Sequence, residues 1–142
     1  MDNKSEQIIR LTTERPYIAV ASLRGLFVNL KLCESEILRI YKPNPTTVDL
    51  IDMRRIPGEE IRGIARWKQL AELLNDCCCL LVHGIERAPY SILTNSGICV
   101  LVVEGFVDKA ITRIGAGKSI LYMTLEKQMR ITSLNQTQNK CE

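Results

Sequence analysis

CLLVHGIERAPYSILTNSGICVLVV, residues Cys79–Val103, is the stretch that decides the fold. It opens on an apolar run that halts at His83-Gly84. Ala88–Asn95 then has the length of a short helix closed by Gly97, and Ile98–Val103 is a second apolar run of strand composition. Strand, crossover helix and strand in such close succession make a β-α-β step, whose strands lie parallel and are covered on both faces. Just upstream, Ile64, Trp67, Ala71 and Leu74 recur at three- and four-residue spacing. Leu70 and Leu73 widen that stripe while Arg66, Lys68 and Glu72 fall off it, so another amphipathic helix leads into Cys79. Two such steps in series predict parallel strands.

Toward the N-terminus, Tyr17–Leu23 reads as a buried strand turned by Arg24-Gly25, with Leu26–Val28 extending it as a hairpin. Glu36–Lys42 and Thr47–Ile56 flank Pro43-Asn44-Pro45 and predict an antiparallel hairpin with a proline-stiffened loop. Val107–Ile114 supplies a last short helix, with Gly115 and Gly117 beyond its end. The expected architecture is α/β: a three-layer sandwich around a mixed, mainly parallel five-stranded sheet. The expected organisation is an N-terminal arm over 1–15, one domain over 16–117, and a polar tail over 118–142 whose last ten residues are disordered.

A chain of 142 residues, 46% hydrophobic, suffices for one core and not for two. The net charge of +3 is spread thinly, without a Lys/Arg block, which disfavours nucleic acid and membrane surfaces as partners. No apolar run reaches the roughly 20 residues of a membrane helix, and Met1-Asp-Asn-Lys-Ser-Glu6 lacks a signal-peptide core, so a cytoplasmic location is expected. The six cysteines, three of them consecutive, do not form the framework of a secreted scaffold and read as reduced thiols. Strand alternation would let at most Cys77 and Cys79 share a ligand, and no CxxC spacing occurs. Gly115-Ala-Gly-Lys-Ser119 imitates the end of a phosphate loop, but Thr112 stands where a glycine is needed and a helix precedes it, so a helix C-cap is the ordinary reading.

Ligands of such sheets gather beyond the carboxyl ends of strands, where the strand order reverses. That crevice would be lined by Leu23–Cys33 and His83–Pro89. His83 is the single histidine and reads either as a ligand contact or as a capping group. Arg24, Lys31 and Cys33 add cations and a soft sulfur donor, a set suited to an anionic iron–sulfur cluster; a solvated loop is the competing reading. Neither a nucleophile elbow nor paired carboxylates are present, so catalysis has no visible machinery and the chain is expected not to be an enzyme.

Arg15-Pro-Tyr-Ile-Ala-Val-Ala-Ser22, Val28-Asn29, Ala65-Arg66-Trp67, Ala71-Glu-Leu-Leu74, Asp76-Cys77, Gly84-Ile85, Pro89, Gly97-Ile98 and Glu104-Gly105 together resemble the dinitrogenase iron-molybdenum cofactor biosynthesis family. The resemblance covers about residues 15–117 and is nearest to the NifB C-terminal branch, with NifX and NafY more distant. It implies a ribonuclease-H-like domain that holds or passes on iron–sulfur or iron-molybdenum precursors without chemistry of its own, among nitrogenase cofactor-assembly proteins. The implied contacts are Arg24, Asn29, Lys31, Cys33 and His83, with Cys33 and His83 as metal ligands. Where the family often carries a histidine, this chain has Lys31 and Cys33, so cluster binding has moved to Cys33 and His83 or has been lost. In the second case the domain is a ligand-free interaction or regulatory module, a monomer or weak homodimer that docks on a partner or pairs through its sheet edge. The radical-SAM motif CxxxCxxC is absent.

Overall fold

The computed structural model describes residues 9–125. Four strands and two helices follow the order expected: β1 (Tyr17–Val20), β3 (Ile37–Pro43), β4 (Val48–Arg55), α1 (Ile64–Leu73), β5 (Cys77–Val82) and α2 (Arg87–Asn95). β6 (Cys99–Val102) and α3 (Val107–Gly115) complete the domain, and β2 (Phe27–Val28) and β7 (Gly105–Phe106) form a separate two-stranded ribbon. The main sheet runs β4-β3-β1-β5-β6. All six residues of β5 are buried, as a central strand with helices on both faces requires.

The sheet is mixed and five-stranded, but it divides evenly: β1–β5 and β5–β6 are parallel, β1–β3 and β3–β4 antiparallel. It is therefore not mainly parallel. The connection from β1 to β3 holds only β2 and a single 3-10 turn at Leu32–Glu34, too little for the helical crossover that a parallel neighbour needs.

Helices cover both faces. On one, Trp67 and Leu70 of α1 and Leu93 of α2 pack over Leu38, Ile40, Leu80 and Val102. On the other, α3 buries Val107, Ala110, Ile111 and Ile114, one helical stripe, against Ile18, Val20, Leu81 and Leu101. Ile9 and Leu11 of the arm join this second cluster. Ile64 and Leu73, expected on the buried stripe of α1, stay 60% and 38% exposed at the two ends of the helix.

The segment Leu26–Val28 does not extend β1 as a hairpin. Ser22 Oγ accepts the Gly25 N–H at 2.8 Å and donates to the Phe27 carbonyl at 2.6 Å, and Gly25 takes φ +89°, a conformation costly for a side-chain-bearing residue. This turn swings β2 out of the main sheet and against β7, where Phe27 and Phe106 stack with centroids 4.7 Å apart.

Two β-bulges shift the alternation. Tyr17 pairs with Cys77 and Ile18 with Cys79, leaving Cys78 as the extra residue. Cys78 and Cys79 therefore both join the α3-side cluster, whereas Cys77 joins the α1/α2 side. The expectation that Cys77 and Cys79 share a face is wrong for this reason. In β4 the extra residue is Ile51, between Asp52 opposite Ile40 and Leu50 opposite Tyr41.

Charged side chains fasten the far ends of the strands. Arg54 donates to both Asp76 oxygens, at 2.7 and 3.0 Å, and to Asp52 at 2.9 Å and the Leu73 carbonyl at 2.9 Å. Its guanidinium holds the Asp76 carboxyl below the usual range. Arg15 ties the arm to the domain by donating to the carbonyls of Cys77 and Ser96, each at 2.9 Å, and of Leu74 at 3.4 Å.

Candidate functional site

At the carboxyl ends of β1 and β5 the strand order does reverse, since β1 leads on to β3 on one side and β5 to β6 on the other. The crevice there is filled by the chain itself. Beyond β1, which still pairs through the Ala21 N–H to the Leu81 carbonyl at 2.9 Å, residues 30–32 return alongside the extension of β5. The His83 N–H donates to the Leu30 carbonyl and the Leu32 N–H to the Gly84 carbonyl, both at 2.9 Å, with Lys31 bridged in parallel to Gly84. A Cβ on Gly84 would lie 3.0 Å from Lys31 Cγ, so glycine is what lets this strap lie close.

The expected site residues sit along and around the strap. Asn29 Oδ1 accepts the Leu23 N–H at 3.0 Å, fixing the loop that carries the exposed Arg24. The Lys31 N–H donates to Glu34 Oε1 at 2.9 Å, and Ser35 Oγ donates to the Lys31 carbonyl at 3.0 Å. His83 Nε2 stands 3.8 Å from Glu104 Oε1, beside the end of β6. The bridge sets the Lys31 side chain on the Gly84 side of the strap, and strand alternation turns the neighbouring His83 side chain to the other side, toward Glu104. Cys33 opens elsewhere, into a groove of about 450 Å³ that also takes in Arg55, Pro57, Glu59 and Arg66.

Four cysteines, Cys77, Cys78, Cys79 and Cys99, are free thiols, as reduced chemistry requires, but Cys33 is disulfide-bonded and presents no thiolate until reduced. Burial pushes the Cys77 thiol up to about 12, and the Cys78 hydrogen bond together with complete burial raises Cys79 well above its ordinary value. These are packing thiols. Among the described residues no group of three or more His, Cys, Asp or Glu is placed to hold a metal ion. The donor set fits an anionic cargo held by cations and one imidazole better than a chelated ion.

Two contributors were not singled out from the sequence. Arg39 Nε donates to the Ser22 carbonyl and Nη2 to the Leu23 carbonyl, both at 3.4 Å, bracing the Arg24 loop. With Leu23, Leu30, Ile37 and Met53 it lines a second groove of about 350 Å³. Glu104 faces His83 only because β6 ends beside β5. An arginine at the centre of an apolar strand, Ile37-Leu-Arg-Ile-Tyr41, was the one available signal.

No family model matches the chain. The FeMo cofactor biosynthesis protein NifB of Chlorobaculum tepidum is 33% identical over 132 residues, which is 90% of this chain and 31% of that protein. The chain therefore spans about a third of the length of this relative. In fold it is similar to the crystal structure of PH0822, with a TM-score of 0.54 and 19% identity, covering 72% of this chain and 93% of that one. The sequence similarity extends through both strand ends and the strap of the site, and by it the chain belongs to the NifB/NifX-like cofactor biosynthesis family.

Proposed function

We propose that this chain is a non-catalytic binding or carrier module for an iron–sulfur or iron-molybdenum cofactor precursor in nitrogenase cofactor assembly. The observation that supports the reading is the Lys31–Gly84 strap, which lays the Lys31 segment along the His83–Gly84 extension of β5 at the carboxyl ends of the parallel strands of a NifB-like domain. Arg24, Asn29, Lys31, Cys33 and His83 are the contact residues. Lys31 and Arg24 balance the negative charge of the cargo, His83 donates through its imidazole, Asn29 holds the Arg24 loop, and Cys33, which opens into the neighbouring groove, supplies a thiolate to the cargo only once reduced and turned toward the strap. In this reading binding and release require no bond-making group. The ribonuclease-H-like kinship, the cytoplasmic setting and the cofactor-assembly partners belong to this same reading.

The test is anaerobic reconstitution of the reduced protein with iron and sulfide, read by visible absorption and metal analysis, for the parent and for Cys33→Ala/His83→Ala. Stoichiometric colour lost in the variant supports the carrier role; a colourless, metal-free parent refutes it. One observation favours a second reading. The crevice is closed by Leu30–Leu32, and Phe27 and Phe106 stand 41% and 49% exposed beside it, as in a ligand-free docking module. That reading requires a partner from the assembly system whose binding survives the Cys33/His83 substitutions.

A further inference from the structure

The two edges of the main sheet are treated differently. The outer side of β6 is closed by the chain itself: Val103 bridges Thr124, and the Leu125 N–H donates to the Val102 carbonyl at 2.9 Å. The outer side of β4 has no pairing strand among the described residues, although β4 is eight residues long and contains neither lysine nor proline. A long open edge is a template for another strand unless something blunts it. Here the side chains add to the attraction, because Leu50, Ile51 and Met53 are 46%, 41% and 47% exposed.

The charge order on this strand selects the occupant. Val48-Asp-Leu-Ile-Asp-Met-Arg-Arg55 carries its acids, Asp49 and Asp52, ahead of its bases, Arg54 and Arg55. A parallel neighbour of the same sequence would set acid on acid and base on base, whereas an antiparallel one sets each against its opposite. We propose that β4 is a homodimer edge: a second copy of this chain pairs antiparallel to it about a two-fold axis at Asp52, joining two five-stranded sheets into one of ten. In this register Asp49 lies opposite the second copy's Arg55, and Ile51 opposite the second copy's Met53, each twice over. The two Asp52 carboxylates at the axis are each neutralised by their own Arg54, 2.9 Å away. The Ile51 bulge adds twist at the middle of the strand, and one strand pair is a small interface, so the dimer is weak and dynamic. The inference does not depend on any cargo.

The experiment is sedimentation velocity of the full chain under reducing conditions, from micromolar to near-millimolar concentration. The parent should move from monomer to dimer across this range. Arg55→Asp is the informative reversal, since Arg55 lies opposite Ile37 within the chain and leaves no internal ion pair broken. It should weaken association roughly tenfold, because two facing charge pairs turn repulsive. Adding Asp49→Arg to Arg55→Asp should restore the dimer, and Met53→Lys alone should abolish it, with circular dichroism confirming that each variant is folded. A parent monomeric at every concentration, a dimer indifferent to Arg55→Asp and Met53→Lys, or a double reversal that fails to restore pairing would each overturn the proposal.

Discussion

Asp76→Asn should remove most of the clamp that joins β4 to the start of β5. Arg54 makes two charge-assisted hydrogen bonds to Asp76, at 2.7 and 3.0 Å, with the two side chains 19% and 33% exposed. Bonds to charged groups contribute about 1.5–3 kcal/mol each when buried, and solvent screening at this exposure reduces the pair to about 2 kcal/mol in total. Asparagine keeps one acceptor oxygen, so the expected loss near neutral pH is about 1.5 kcal/mol. Trp67, the single tryptophan and 6% exposed, reports unfolding in urea by its fluorescence. With a urea slope of about 1.5 kcal/mol/M, the midpoint should fall by about 1 M. The pH dependence fixes the cause. Arg54 depresses the folded-state value of Asp76, so its stabilisation is present above the unfolded carboxyl value of about 4 and disappears as pH falls through the folded one. Parent and variant should therefore converge in acid. An equal difference at neutral and acid pH, or none at neutral pH, would refute the account.

Leu80→Ala, at a fully buried position of the central strand, should cost about 3–4 kcal/mol in urea titrations; a cost below about 1 kcal/mol would mean that the sheet closes over the gap. Arg15→Met should cost about 1–2 kcal/mol, because it leaves the Cys77 and Ser96 carbonyls without their donor, and limited proteolysis should then cut the arm first. Gly84→Val should push Lys31 away from the strap and lower cluster uptake in the reconstitution assay more than it lowers the urea midpoint; loss of both in proportion would assign Gly84 to stability alone. Cys77 and Cys79 should resist a disulfide exchange reagent near pH 8 in the native protein and react on unfolding, measured by thiol titration; rapid native reaction would contradict their raised values.

The helices and strands were legible wherever one period governed a run. The stripe Val107, Ala110, Ile111 and Ile114 marks α3, the all-apolar Leu80–Val82 marks a doubly covered strand, and Pro43-Asn44-Pro45 marks a hairpin loop. What escaped was non-local. The bulge at Cys78 arises from its pairing with β1 and leaves no trace in composition, and it reverses which cysteine shares a face with Cys79. The partner of β2 depends on the Ser22 turn, and the balance of parallel and antiparallel pairs depends on where β3 settles. At the site, the reversal of strand order beyond β1 and β5, which puts the segments carrying Lys31 and His83 at one end of the sheet, could be anticipated from the sequence. The strap across the crevice, the bracing by Arg39, the disulfide at Cys33 and the opposition of His83 and Glu104 are products of folding that no local pattern announces.

The Leu30–Leu32 strap has a consequence for the order of assembly. Its partners, His83 and Gly84, come from a strand that the chain reaches only after the β3–β4 hairpin and α1, so the loop it closes is long and its hydrogen bonds pay back late. The sheet can nucleate from the hairpin and the β5-α2-β6 unit without it. During synthesis the strap cannot close until β5 has emerged, so a nascent chain that has reached only the β3–β4 hairpin carries its Lys31 segment unassembled. In the mature protein the same segment, held by two backbone bonds at its centre, is a natural place for the earliest amide exchange.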